Sequence, residues 1–464
     1  MSDLFQPPSP LSRRDFLTTG VKLGAAVLVA PYVARAATQP SGGSRTLGIG
    51  LIGCGEQGRV LLNAALKIPD IRFRAVCDIW AYNRTYGERL LKKFGHDATP
   101  YEDYRELLAR TDLDAIIVAT PDFMHAEQTN AALRSGRHVY CEKLMSNTVE
   151  GARSMVRTAR ATKKLLQIGH QRRSNPRYQH AKDRLLTDAH LLGRINNATG
   201  QWNRAVTEDL GYPEKFVIPE AKLQQYGYAN MHEFRNWRWF KKYAGGPISD
   251  LGAHQIDVFN WFLAANPRSV IAGGGADYYT THEWYDNVTA IYEFATPAGV
   301  VRATYSVLTT TSAGGGYHEY FMGDEGALKI SENPKYTKLY REARAPEWDQ
   351  WVDKNFISRP GSGEGAPAPV KPWEKQRPKL PGPSKSSVVD VRETAELSAW
   401  DIPVTLDKAI HQPHLENFFD AIRLGTPLNC PAESAFATAV TVLKVNEAVA
   451  AQKMLTFAPT DFVV

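Results

Sequence analysis

Apolar positions along this chain keep one rhythm up to about residue 168 and another beyond it. Leu47-Gly48-Ile49-Gly50-Leu51-Ile52 is an unbroken apolar run that reads as a buried strand, and Val60, Leu61, Ala64, Ala65 and Ile68 then recur at helical spacing. Ile71 to Cys77 reads as a second strand. Helices follow from about Arg84 to Phe94 and around Tyr104 to Leu108, then the apolar strand Ala115 to Ala119. A helix from Ala126 to Ser135, the short strand His138 to Cys141 and the run Leu165 to Gly169 complete the series. Apolar strands separated by helices predict a parallel, doubly wound α/β sheet over residues 45–168.

From residue 169 to 464 strand-like runs dominate: Ile195 to Trp202, Ser269 to Tyr279, Asn287 to Phe294, Gly299 to Leu308 and Tyr317 to Met322, with turn signals between them. They predict a large, open, mostly antiparallel sheet in an α+β second domain, interrupted by helices at Arg177 to Leu186 and Asp250 to Leu263. Residues 345–403 turn rich in Pro, Gly, Ser and Lys and read as a long, partly irregular surface excursion. Two helices, His411 to Leu424 and Ala432 to Ala451, close the chain.

The first strand runs straight into Gly53-Cys54-Gly55-Glu56-Gln57-Gly58, a G-x-G-x-x-G pattern between strand and helix. There Gly53 permits the tight turn, Gly55 lets the backbone approach a pyrophosphate, and Gly58 lets the helix pack on its strand. The first N–H groups of the helix, with Glu56 and Gln57 in its opening turn, face the phosphates. Asp78 ends the next strand and is placed to accept from a ribose diol. This is a Rossmann arrangement, and a carboxylate at 78 favours NAD over NADP, although Arg84 stands close in sequence. Ligands bind outside the carboxyl ends of such strands, so Thr120, Pro121, His125, Glu142, Lys143 and His170 should share one rim with the glycine loop.

Composition narrows the class. With 464 residues and 43% hydrophobic content the chain can bury a large core, and 55 basic against 49 acidic residues give +6. Without a basic run this balance gives no reason to invoke nucleic acid. Ser12-Arg13-Arg14-Asp15-Phe16-Leu17, the apolar stretch Val21 to Val33 and Ala34-Arg35-Ala36 resemble a twin-arginine (Tat) export signal over residues 1–36. Export of the folded protein to the periplasm by the Tat machinery is the expectation. Cys54, Cys77 and Cys141 stand beside proposed nucleotide-site residues, and all four cysteines read as free thiols.

Two constellations carry chemistry. Lys143 follows a strand end where a nicotinamide should lie, a setting that suits a lysine to proton transfer. Gly245-Gly246-Pro247 precedes a helix on which Asp250 and His254 stand at i and i+4, with Asp257 and Trp261 continuing the stripe. A carboxylate beside an imidazole can orient it as acid or base, while Asp250 as an N-cap and His254 as a core histidine are the structural alternatives. No cysteine or second histidine stands at ligand spacing, so no metal is expected.

Together these motifs resemble the Gfo/Idh/MocA oxidoreductases, named for glucose-fructose oxidoreductase and inositol dehydrogenase. The resemblance runs through the glycine loop, Cys77-Asp78, Ala119-Thr120-Pro121 with His125, Glu142-Lys143, Gly169 with Arg172-Arg173, Trp237-Arg238, Gly245 to Asp257 and His414 to Ile422. It implies that Lys143, Asp250 and His254 are catalytic, and that hydride passes between nicotinamide and a carbinol carbon of a sugar or polyol. In that scheme His254 moves the hydroxyl proton, Asp250 orients His254, and Lys143 hydrogen-bonds the reacting oxygen. The usual Glu-Lys-Pro is Glu142-Lys143-Leu144 here, a departure that bears on where the lysine sits. His170, Arg173, Tyr178, Trp237 and Tyr279 are the candidates to line the sugar pocket. The periplasm holds little free nicotinamide, so a tightly bound, internally recycled nucleotide is expected. The cycle would then be sugar oxidoreduction or, alternatively, an NAD-dependent glycosidase cycle through a transient 3-keto sugar. A sugar-binding protein with a nucleotide fold is a third reading. The open sheet implies a homo-oligomer, at least a dimer.

Overall fold

The computed structural model describes residues 45–361 and 397–464, and the twin-arginine segment lies outside them. Six strands, β1 (Leu47–Ile52), β2 (Ile71–Cys77), β3 (Thr99–Tyr101), β4 (Ala115–Val118), β5 (His138–Cys141) and β6 (Leu166–Ile168), form one sheet in the order β3-β2-β1-β4-β5-β6. Every pairing is parallel. The order reverses between β1 and β4, and that switch point opens the crevice where such sheets take ligands. The strands are apolar on both faces because helices cover both. Leu61, Leu62 and Ala65 of the helix Glu56–Ala65 pack on one side, and Ala132 and Leu133 of Asp122–Arg134 on the other.

That second helix starts four residues earlier than the apolar pattern indicated. Pro121 (φ −60°) immediately precedes it, so Asp122 to His125 form its first turn rather than a loop. Both side chains thereby reach the sheet's carboxyl rim.

The second sheet has nine strands: β7 (Ile195–Asn203), β8 (Pro267–Gly275), β9 (Asn287–Thr296), β10 (Gly299–Leu308), β11 (Tyr317–Gly323), β12 (Gly326–Ile330), β13 (Lys338–Arg341), β14 (Ser398–Trp400) and β15 (Leu455–Thr456). Their order is β14-β13-β12-β11-β7-β10-β9-β8-β15, antiparallel except for β7 with β10. In β9 the buried positions Val288, Ala290, Tyr292 and Phe294 alternate with outward ones, as a sheet covered on one face requires. The covering layer is the helix Ala253–Leu263, buried almost throughout, and the helix Ala432–Ala451, to whose Thr441 carbonyl Tyr292 donates at 3.2 Å.

Two expectations are corrected here. The ends of the 345–403 excursion are built into the fold: Trp348 and Ile357 are buried, β14 pairs with β13, and Ser358 bridges to Asp401. Residues 362–396 lie outside the described ones. The division at residue 169 also fails for the closing helix Gln412–Leu424, because Leu415, Phe418 and Phe419 join the core under β1 and the helix Glu56–Ala65. The four cysteines are all free and buried. Among the described residues no helix is long and apolar enough to cross a membrane.

Candidate active site

A cavity of about 890 Å³ runs from the switch point of the first sheet to the inner ends of β7 and β11. Its first wall is the glycine turn. Gly53 holds φ +95°, and a Cβ there would stand 2.5 Å from the Ala119 carbonyl oxygen. A Cβ on Gly58 would meet the Gly53 carbonyl at 2.0 Å, so this glycine packs beneath the turn rather than lining the cavity. Gly55 caps the helix with no side-chain hydrogen bond, leaving the first N–H groups beside an open backbone. A pyrophosphate fits that cradle.

Asp78 sits across the turn. Its carboxylate accepts from the N–H groups of Cys54 (2.8 Å) and Trp80 (2.8 Å) and from Asn83 (3.3 Å), which fixes it toward the ribose position. Burial raises its pKa, and the Trp80 and Cys54 N–H groups hold part of that rise back. Arg84 donates to the Asp78 carbonyl and lies 3.6 Å from Glu102, so it is occupied away from a 2′-phosphate. This donor set suits NAD.

On the rim, Thr120 donates to Gln128 at 2.6 Å, and His125 sits between the carbonyls of Thr120 (2.7 Å) and Leu144 (2.7 Å). Two carbonyl partners require both ring nitrogens to donate. Burial opposes that charge, yet Cys141, Asp122 and the Leu144 carbonyl push the His125 pKa up to about 10. Glu142 accepts from Gln57 at 3.1 Å, and the same Gln57 amide lies 3.1 Å from His411 Nε2. The glycine turn, the end of β5 that carries Glu142 and Lys143, and the start of the closing helix are thus tied together.

Lys143 reaches across to the second domain. The Lys143–Leu144 peptide is cis, Nζ donates to the Asp250 carbonyl, and it stands 3.7 Å from Asp250 Oδ1. Asp250 also accepts from Arg238 Nε at 3.2 Å, with Arg204 at 3.9 Å. Burial alone would raise the Asp250 pKa, but Arg238, Lys143 and Arg204 bring it down to about 2. His254 lines the same cavity; burial first, then the Lys143 charge, push its pKa well below the usual histidine value. Its Nδ1 is buried without a hydrogen-bond partner.

The expected Asp250–His254 pair is therefore not formed. Residues Ile248–Gly252 make a wide π-turn ahead of the regular helix, and three cations claim the carboxylate. Asp250 positions Lys143 instead.

Gly53, Gly55, Glu56, Gln57, Asp78, Thr120, Pro121, His125, Glu142, Lys143, Trp237, Asp250 and His254 all line the cavity. Four residues expected in the sugar pocket do not. Tyr178 is fully buried and donates to Glu319 at 2.7 Å, and Arg173 grips buried Asp257 through two nitrogens. His170 lies buried 3.9 Å from Asp257, and Tyr279 stacks on His282 and donates to the Thr309 carbonyl. Tyr178, Arg173 and Tyr279 are held by these partners away from the cavity, whereas both ring nitrogens of His170 are buried without a hydrogen-bond partner.

One part of the site was read in the sequence only at Trp237 and Arg238. Residues 204–244 form a lobe whose own small core of Ile218, Leu223, Tyr228, Met231 and Tyr243 closes around Trp80 of the first domain, which is 1% exposed. Trp80 Nε1 donates to the Phe216 carbonyl at 2.6 Å, while Tyr226 and Lys222 both hold Glu102. Tyr226, Tyr228 and Phe234 roof the nucleotide end of the cavity. The crowding of aromatic residues between 212 and 243 was the available signal.

Fold and site together define a two-domain, dinucleotide-binding protein of the Rossmann type with a Lys/Asp/His cluster facing the nucleotide. The chain belongs to the Gfo/Idh/MocA family: residues 47–170 match its model described as an oxidoreductase family, NAD-binding Rossmann fold, and residues 184–329 match the family's C-terminal domain. It is 30% identical over 243 residues to a 1,5-anhydro-D-fructose reductase from Ensifer adhaerens, covering 51% of this chain and 64% of that protein. It is also 30% identical over 216 residues to a glycosyl hydrolase family 109 protein from Saccharopolyspora erythraea, covering 42% of this chain and 46% of that one. The chain thus spans less than two thirds of these relatives' own lengths. A levoglucosan dehydrogenase solved with NADH and L-sorbose shares the fold, with TM-score 0.64, 17% identity, and coverage of 89% of this chain and 99% of that one.

Proposed function

We propose that the protein is an NAD-dependent oxidoreductase that exchanges hydride at a CH–OH carbon of a neutral sugar, polyol or sugar derivative, with the nucleotide retained between turnovers. The observation that carries this reading is the meeting of Lys143, Asp250 and His254 in the cavity that also holds the glycine turn and Asp78. NAD supplies the hydride chemistry. The chain supplies the rest. Neutral His254 accepts the hydroxyl proton, Lys143 steadies negative charge on the reacting oxygen, and Asp250 holds Lys143 in place. Retention is supported by the lobe that closes over the nucleotide end. The sugar-reductase relative supports the substrate class.

A second reading is suggested by the glycosyl hydrolase relative: transient oxidation of the sugar to a 3-keto form, elimination of the glycosidic substituent with the C2 proton, addition of water across the resulting C1–C2 double bond, and re-reduction on the same nucleotide. Both readings use the same three residues. Periplasmic export through the Arg13-Arg14 segment, and a second copy covering the open sheet face where Ile271 and Ile291 are 40% and 44% exposed, complete the proposal.

The test is to purify the exported protein without added nucleotide, denature it and identify what is released by mass spectrometry. Stoichiometric NAD(H) is expected. Lys143→Ala should keep that nucleotide and lose turnover by about 10³-fold. Unchanged turnover in this variant would overturn the catalytic assignment.

A further inference from the structure

At the far end of the cavity from the glycine turn, β7 and β11 end side by side, and their register sets Trp202 opposite Tyr317. The two rings stack at 4.5 Å between centroids and 25°, and the His254 ring lies 5.6 Å from Trp202. A row of three rings therefore leads away from the proton acceptor, with Trp202 and Tyr317 both partly exposed along the cavity.

Beside this row stands Glu332, whose side chain is 4% exposed and lines the same cavity. Gln171 donates to its Oε1 at 3.1 Å and Arg172 Nε to its Oε2 at 3.1 Å, so the carboxylate is fixed with acceptor capacity left over. Arg172 has none to give in return. It is 1% exposed, its Nη1 pairs with Glu319, and it stays behind the aromatic row, 5.4 Å from the Tyr317 ring. Arg204, just past the end of β7, also lines the cavity but is drawn to Asp250 at 3.9 Å. This end of the cavity thus offers an apolar aromatic surface and a carboxylate acceptor. That pairing matches a sugar ring, whose C–H face is apolar and whose hydroxyls donate. It repels a carboxylate on the ligand.

We propose that Trp202, Tyr317, Glu332 and Gln171 form the subsite that holds the non-reacting part of a neutral pyranose beside His254, and that it rejects the corresponding sugar acids. This rests on the sugar oxidoreductase reading above and names its substrate class. Glu332 acts here as a specificity residue, and it does not touch the reacting carbon.

The experiment is calorimetric titration of the nucleotide-loaded protein with methyl glucoside, methyl galactoside and methyl N-acetylglucosaminide, each anomer, against methyl glucuronide and methyl galacturonide. At least one neutral glycoside should bind, with its uronide at least about ten-fold weaker. Glu332→Gln keeps shape and should shrink that gap. Trp202→Ala should weaken neutral binding by roughly ten-fold and Trp202→Phe recover part of it. Uronides that bind as well as neutral sugars, no binding by any neutral glycoside, or unchanged affinity in Trp202→Ala would each overturn the subsite. Nucleotide content and Lys143-dependent turnover, measured on the same preparations, separate the two claims: if both persist while the panel fails, only the subsite is wrong. Loss of either overturns the underlying reading, and the subsite with it.

Discussion

The two walls of the cavity are built on different principles. On the first-domain wall, the turn Gly53–Gly58, Asp78, Thr120 to His125 and Glu142-Lys143 each follow directly from a strand end, so the parallel sheet alone delivers them to one rim. On the second-domain wall, Trp202, Tyr317, Glu332, Arg238, Asp250 and His254 come from a sheet, a loop, a lobe and a helix, and only long-range register assembles them. Their histidines differ in the same way. His125 is held between two backbone carbonyls as a cation, whereas His254 is kept neutral by burial and the nearby Lys143. The nucleotide wall is a local backbone device. The second-domain wall is a balance of facing charges, Asp250 against Lys143, Arg204 and Arg238.

If that contrast holds, breaking the charge balance should cost most. Asp250→Asn removes the partner of Lys143 and Arg238 and should lower turnover by about 10²-fold while nucleotide content is unchanged. Because Asp250 acts on Lys143 and not on His254, Asp250→Asn with Lys143→Met should be strongly non-additive in kcat, and Asp250→Asn with His254→Asn close to additive. The reverse pattern in steady-state kinetics would restore the Asp250–His254 pair and remove the distinction drawn here.

Acid should loosen the packing behind the walls, around β6 and the helix Gln412–Leu424, at lower cost. Burial pushes His170 down to about 4 and His414 down to about 3, so the unfolded chain takes up protons that the folded one refuses. Stability is therefore complete above the unfolded value near 6.5 and falls as pH drops toward the folded values, by about 2 kcal/mol per histidine at pH 5. Urea midpoints measured from pH 7.5 to 5 should decline, with amides around the helix Gln412–Leu424 losing exchange protection early. A flat midpoint would show that these histidines find partners on protonation.

The same contrast explains what the sequence disclosed. Rossmann strands are recognisable because each is a short apolar run closed by a turn signal, and β5 and the helix Tyr104–Leu108 begin and end where the pattern put them. The parallel doubly wound sheet and the large, mostly antiparallel second sheet were both legible, but the three-residue edge strand β3, which is largely exposed, was not. Tyr178, Arg173 and His170 were misplaced because their neighbours Gln171 and Arg172 differ from them only in side-chain direction. Gln171 faces the cavity, while Arg172 and Tyr178 turn inward to Glu319. No periodicity separates those outcomes on an irregular turn. Glu332 and Tyr317 were invisible for another reason: their role depends on strands 100 residues and more from the glycine turn meeting in one register. Asp250 reached the cavity as expected, but its partner was misread, because a π-turn breaks the i, i+4 rule on which the stripe rested.

The lobe supplies the finest test, because there the second domain grips the first wall beside the nucleotide end of the cavity. Glu102, beside β3, accepts from Tyr226 at 3.0 Å and pairs with Lys222 at 2.6 Å. Those bonds are partly exposed, so their loss should hardly move global stability. Glu102 and Tyr226 do, however, both line the nucleotide end of the cavity, so their bond stands beside the path a dinucleotide would take. Glu102→Gln with Tyr226→Phe should therefore speed nucleotide release by about ten-fold, followed by filter dilution and mass spectrometry, while the urea midpoint stays within about 0.5 kcal/mol of the parent. Trp80 should matter more to folding than to release, since it is the wedge that the lobe core closes around. Unchanged release in the double variant would mean that the glycine turn and Asp78 retain the nucleotide unaided, and the first wall would then be self-sufficient.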